Sequence, residues 1–120
     1  VSTNGTSRVI VQLGSTTFTT SGYGAAGASV FGGTSAANIG SGQGFIIEAS
    51  NAAELRNGLM IFTNLSGNVW CGMSAFGNSG GTAGFGGGFI SLTGTLDRVR
   101  ITTVNGTDAF DAGSINILYE

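Results

Sequence analysis

Apolar residues in this chain come in short runs of β-branched and aromatic type, each bounded by Gly, Asn, Ser or Thr, and no 3.6-residue period persists over the length of a helix. That pattern predicts an all-β fold. Strands are expected at Arg8–Leu13, Phe45–Glu48, Leu59–Thr63, Asn68–Met73, Phe89–Thr93, Asp97–Val104 and Ser114–Tyr119. Short strands at this spacing point to a single antiparallel β-sandwich or barrel, a jelly-roll-like sandwich being the expected form. The sole helix candidate, Asn51–Arg56, has room for a turn or two, with Ser50 or Asn51 as cap and Asn57-Gly58 stopping it or turning the chain into the next strand. A length of 120 residues gives one domain, 1–120, with a single modest core. Val1 stands where a start methionine would, so the chain reads as a fragment or C-terminal module lacking an upstream strand.

The strands differ in how many faces are apolar. In Asp97-Arg98-Val99-Arg100-Ile101-Thr102, Val99 and Ile101 face one way and both Arg and Thr102 the other, which describes a strand with one wet face. Leu59-Met60-Ile61-Phe62 and Ile115-Asn116-Ile117-Leu118-Tyr119 place apolar groups on both faces or nearly so. Two explanations stand side by side: a central strand under a loop, or a strand at a subunit interface. Two stretches, Gly22–Gly44 and Gly72–Gly88, hold much of the Gly and read as long loops. Their aromatics Tyr23, Phe31, Phe76 and Phe85 are candidate contact residues that either fill a partner's pocket or cap the domain's own core.

Composition removes most chemistry. There are 23 Gly and no His, the four Lys+Arg are all Arg, and the one cysteine, Cys71, reads as a buried strand thiol. A Ser-His-Asp triad, a His-ligated zinc site and an iron–sulfur cluster are all out of reach. No catalytic residue, metal or cofactor is expected. A net charge of −2 without Lys argues against nucleic acid as a partner, and no apolar run is long enough to insert in a membrane as a helix. Asn105, Asp108 and Asp111 in the segment Asn105–Gly113 have two readings, oxygen ligands for a hard cation or side chains that stabilise turns, with Phe110 as the loop's anchor. Asp108 and Asp111 as a glycosidase pair is the weaker use of the same acids. Asp97 is expected to find a cross-strand partner.

The C-terminal segment Thr93-Gly-Thr-Leu-Asp-Arg-Val-Arg-Ile-Thr-Thr-Val-Asn-Gly-Thr-Asp-Ala-Phe-Asp-Ala-Gly-Ser-Ile-Asn-Ile-Leu-Tyr-Glu120 resembles the closing segment of small structural proteins, or C-terminal modules, of tailed bacteriophages. Val1–Gly14 and the stretch leading to Thr20-Ser-Gly-Tyr23 resemble the same group, while 24–88 matches mainly in apolar pattern. The resemblance implies a non-enzymatic virion component with a β-sandwich fold, often trimeric, exposed on a particle assembled in the host cytoplasm. It carries no mapped site residues. The function expected is a fibre or tail-tip module presenting loops to the host surface; a capsid decoration protein and a lectin-like carbohydrate-binding sandwich are the alternatives. Expected partners are further copies in a homotrimer, other virion proteins, and a host surface glycan or protein.

Overall fold

Eleven strands form among the described residues, with no helix. The structure is a computed structural model that describes residues 1–31, 35–48 and 54–120, with the backbone alone at 31, 35–39 and 48. In chain order the strands are β1 (Ser2–Thr3), β2 (Val9–Ser15), β3 (Thr17–Phe18), β4 (Gly24–Phe31), β5 (Ser35–Ser41), β6 (Phe45–Glu48), β7 (Arg56–Ser66), β8 (Val69–Asn78), β9 (Thr82–Ser91), β10 (Arg98–Thr103) and β11 (Phe110–Ala112).

All pairings are antiparallel, and they build three sheets. In the largest the order is β5-β4-β9-β8-β7. In the second, β2 pairs with β10 along one edge and with β6 and β3 along the other; β1 and β11 form a small third sheet. The pairs β4–β5, β7–β8 and β8–β9 are hairpin neighbours, whereas β4–β9, β2–β6, β2–β10 and β1–β11 join strands far apart in sequence, and the chain crosses between sheets several times.

Both stretches expected to be Gly-rich loops are strands. Gly22–Gly44 contains β4 and β5, and Gly72–Gly88 runs through β8 and β9. The physical reason lies in the alternation Thr82-Ala-Gly-Phe-Gly-Gly-Gly-Phe-Ile-Ser91: every second position from Gly84 to Gly88 is Gly, and these face inward while Ala83, Phe85 and Phe89 face out. Glycine weakens a strand locally, but here another backbone approaches closely and needs the space. A Cβ on Gly86 would sit 2.7 Å from the Ile46 carbonyl oxygen, and one on Gly72 would sit 2.9 Å from the Phe45 ring. Strand β6 therefore lies across the inner face of the large sheet at a distance that larger residues would forbid. The Ser74 hydroxyl fixes that contact by donating to the Ile46 carbonyl at 3.2 Å.

The core lies between β2 and β6 on one side and this inner face on the other, with Val9, Val11, Leu13, Phe45, Ile47 and Ile90 at its centre. Phe45 meets Tyr23 and Phe62 edge-on, with ring centroids 5.3 and 5.1 Å apart. Met60, Trp70 and Phe76 close the cluster from the large sheet.

Several expectations change. The strand Phe45–Glu48 is found with the same bounds; the segment expected at 59–63 lies inside the longer β7, that at 68–73 overlaps β8 from Val69 on, and that at 89–93 overlaps only the last three residues of β9. Ser114–Tyr119, expected as a strand, pairs with nothing in the described chain and is exposed; the last pairing of the chain is that of β11 with β1. Of the helix expected at Asn51–Arg56, residues 51–53 lie outside the described residues, and Arg56 opens β7. Asn57-Gly58 sits inside β7, and the turn into β8 is made instead at Gly67-Asn68, where Gly67 has φ +52°. Asp97 precedes β10, so the strand alternation does not bind it: its carboxylate takes the Arg98 Nε at 2.6 Å and the Thr16 amide at 2.9 Å.

Candidate functional site: the outer face of the large sheet

The register of the large sheet sorts its side chains into two faces. Inward go Ala25 and Ser29 of β4, Ile90 of β9, Ser74 and Phe76 of β8, and Met60 and Phe62 of β7. Outward, the pairings align Ala28, Phe85, Ala75 and Leu59 in one cross-strand row, and Ala26, Gly87, Met73 and Ile61 in the next. A third row holds Gly24, Phe89, Cys71 and Thr63.

These outward residues are apolar and uncovered. Leu59, Ile61, Met73, Phe85 and Phe89 are each between 50 and 59% exposed, far above the burial of the same residue types in the core. Single exposed apolar residues are ordinary, but a contiguous sheet face of them marks a surface meant to be covered. Charge is missing as well: the one charged residue in β4, β5, β7, β8 and β9 is Arg56, and its side chain is buried on the inner side.

The face has relief. Phe85 walls a shallow groove of about 580 Å³ whose floor is the small-residue surface of Ala26, Ala28, Gly40 and Gly87. On its other side β8 and β7 carry the larger Met73, Ile61 and Leu59. The low patch of Ala26, Ala28, Gly40 and Gly87 thus lies beside the taller Phe85, Met73, Ile61 and Leu59. Such a surface suits packing against another apolar surface and holds no acid, base or ion ligand among its described residues.

The residues proposed from sequence as contacts are scattered. Tyr23 is a core residue, because its hydroxyl accepts from the Leu13 amide at 2.9 Å and donates to backbone carbonyls of Leu13 or Thr19. Burial raises its pKa, with the Leu13 hydrogen bond and Arg100 pulling the other way. Phe76 is partly buried and packs against the core. Phe85 alone of the described three stands on the exposed face; Phe31 ends β4, and its side chain lies outside the described residues. Cys71 is a strand residue as expected but faces outward and is only half-buried.

The acidic loop sits elsewhere, against the N-terminal segment. Asp108 accepts from the Ser7 amide at 2.8 Å and the Asn105 Nδ2 at 2.6 Å, and these bonds hold its carboxyl below the usual range, the Asn105 contact weighing most. The Asn105 Oδ1 accepts the amides of Thr107 and Asp108 at 3.0 and 3.2 Å, the geometry of an Asx turn. Asp111 accepts from the Ser2 hydroxyl. The loop and residues 2–8 are tied together further by Asn4, which receives the Ala109 amide on its Oδ1 and donates its own amide to the Ala109 carbonyl. Both acids of this loop thus bind the N-terminal segment, Asp108 through the Ser7 backbone amide and Asp111 through the Ser2 side chain.

Sequence reasoning found Leu59 and Ile61 as a second apolar face but missed Met73, Phe89, Ala26 and Ala28. The signal that carried them was the two-residue alternation of Gly with Ala and Phe, hidden by the habit of reading Gly as loop. Comparison with known protein families, characterised proteins and solved structures finds no match.

Proposed function

We propose that this chain is a non-enzymatic virion structural protein of the tailed-bacteriophage kind, a β-sandwich module of a fibre or tail tip that works as a homotrimer. The observation that carries this reading is the uncharged, apolar outer face of the large sheet, which in a lone chain would leave Phe85, Met73 and Leu59 more than half exposed to water. A surface of that kind has its use in an assembly. The sequence contributes the rest: no His or Lys for acid–base or covalent chemistry, and terminal segments that resemble phage structural proteins. In the assembled form the module would leave its hairpin ends, such as the turn Ser79–Gly81, toward the host surface.

Electron microscopy of intact particles labelled with an antibody to this chain tests the proposal. Label at the tail tip or fibre is the expected result. Label on the icosahedral shell would replace it with the capsid decoration reading, and absence from purified particles would overturn both. The lectin-like alternative draws less support, since Asp108 and Asp111 already accept hydrogen bonds from Asn105, Ser7 and Ser2.

A further inference from the structure

We infer that the open edge of β7 takes the C-terminal segment Ser114–Glu120 of a second copy as an added antiparallel strand. This rests on the assembly reading above and names a contact made by backbone, separate from the outer face of the sheet.

The edge is already begun as a ladder. The Arg56 amide donates to the Val1 carbonyl at 3.0 Å, and the Val1 amino group donates to the Arg56 carbonyl at 2.8 Å. Two residues that exchange both bonds form the hydrogen-bonded pair of an antiparallel ladder, so Arg56 turns its backbone polar groups away from β8. By the two-residue period of a strand, Gly58, Met60 and Phe62 turn theirs the same way. Nothing among the described residues pairs with them there, and β7 ends its sheet. An edge of this kind is a template for another strand.

The segment Ser114–Glu120 has the matching character. No described strand pairs with it, and Ile117, Leu118 and Tyr119 are 68 to 89% exposed. In an extended chain its apolar residues fall on both sides, Ile115, Ile117 and Tyr119 on one and Leu118 on the other. Strand β7 is likewise apolar on both, with Leu59 and Ile61 on the outer face and Met60 and Phe62 packed toward the core. A strand laid beside it meets apolar neighbours above and below, which suits a two-sided segment and not one with a wet face. The lengths agree as well: the seven residues 114–120 cover about 24 Å, against about 27 Å for residues 57–64 of the edge.

Direction decides whose segment it is. Strand β1 runs antiparallel to β7 at Val1 and Arg56, and β11 runs antiparallel to β1, so β11 points the same way as β7. The segment leaves β11 at Gly113, which lies against Val1 and hence at the Arg56 end of the edge. An antiparallel strand must enter from the opposite end, near Asn64, about 27 Å away. Seven residues do not reach that far and return, so a chain does not fill its own edge in this direction. A neighbouring copy does: each gives one strand and receives one, an exchange that a closed ring of three satisfies.

Amide hydrogen exchange, read residue by residue by NMR on the purified chain, tests the inference. At tens of micromolar the amides of Gly58, Met60 and Phe62 should exchange at least tenfold more slowly in the native protein than in Ile117→Pro, whose ring removes a ladder donor from the added strand. Ile117 is exposed in a segment that its own chain leaves unpaired, so the variant should keep its native β signal in circular dichroism. The free peptide Ser-Ile-Asn-Ile-Leu-Tyr-Glu, the sequence of 114–120, should restore slow exchange to the variant, and the same peptide with Pro in place of Ile117 should not.

Equal rates in native protein and variant would overturn the inference, because the edge would then stand open in the pure protein. Slow exchange in a native protein whose mass by light scattering is one chain would overturn it too, by placing the chain's own segment on the edge. Absence of the chain from virus particles would remove the proposed function and leave this contact standing, since exchange and mass are read on the isolated protein.

Discussion

Gly86 and Gly87 are neighbours in β9 with opposite duties, and they give the sharpest test at the level of single residues. A Cβ at Gly86 would meet the Ile46 carbonyl and the Ser74 hydroxyl, each at 2.7 Å, whereas one at Gly87 would meet nothing nearer than 3.7 Å. Gly86→Ala should therefore lower stability by about 1–3 kcal/mol through forced separation of β6 from the sheet. Gly87→Ala should be neutral or raise stability by up to about 1 kcal/mol, since Gly in a strand interior is intrinsically unfavourable. Urea denaturation of dilute protein reads both. At Asp108 the expected effect is on pH dependence. Its folded-state pKa is lowered by Asn105 and Ser7, so the stability it adds is present above the ordinary carboxylate pKa and is lost as pH falls through the lower folded value. The exposed Asp97, lowered by Arg98 and Thr16, follows the same sign. The thermal unfolding midpoint should fall as pH drops below about 4, and Asp108→Asn should flatten part of that decline. A curve unchanged by the substitution would show that the loop's hydrogen bonds do not depend on the charge.

Strands were legible where residue type and bounds agreed. Phe45–Glu48 opens with an aromatic and two β-branched residues, is flanked by Gly44, and is found with the bounds read from sequence. In β10 the alternation of Val99 and Ile101 against Arg98 and Arg100 matches the pairing with Leu13 and Val11 against Gly14 and Gln12. Strands β4 and β5 and the Gly-rich first part of β9 were not legible, because Gly, Ala and Ser have low strand propensity by themselves and it is the packing of β6 that favours small residues there. The C-terminal stretch failed in the other direction: Ile115, Ile117, Leu118 and Tyr119 carry a strand pattern yet are 53 to 89% exposed and pair with no described strand, although β5, β7 and β10 leave sheet edges open. Removing residues 116–120 should consequently change the unfolding free energy of a single protomer by less than about 0.5 kcal/mol. A larger loss in dilute denaturation would mean that the segment packs on the chain after all.

Charge is distributed unevenly over the molecule as a whole. Arg98, Arg100 and Asp97 gather on and beside β10, where the Arg100 guanidinium lies 4.3 Å from the Phe18 ring centroid and hydrogen-bonds Gln12. Asp108 and Asp111 hold the terminal segments together. The large sheet, by contrast, keeps a single Arg on its inner side and nothing ionised on its outer one. The candidate site was half legible from the sequence: Leu59 and Ile61 announced a second apolar face, but only the register placed Phe85, Phe89 and Met73 beside them. Strand β7 lies at an edge of the sheet, and Leu59 and Ile61 on it are half or more exposed among the described residues. The most direct test is the mass of the native protein by light scattering across the micromolar range. Three chains per particle, persisting at high salt and lost in Met73→Asp, is the predicted result; a single chain at every concentration would contradict it.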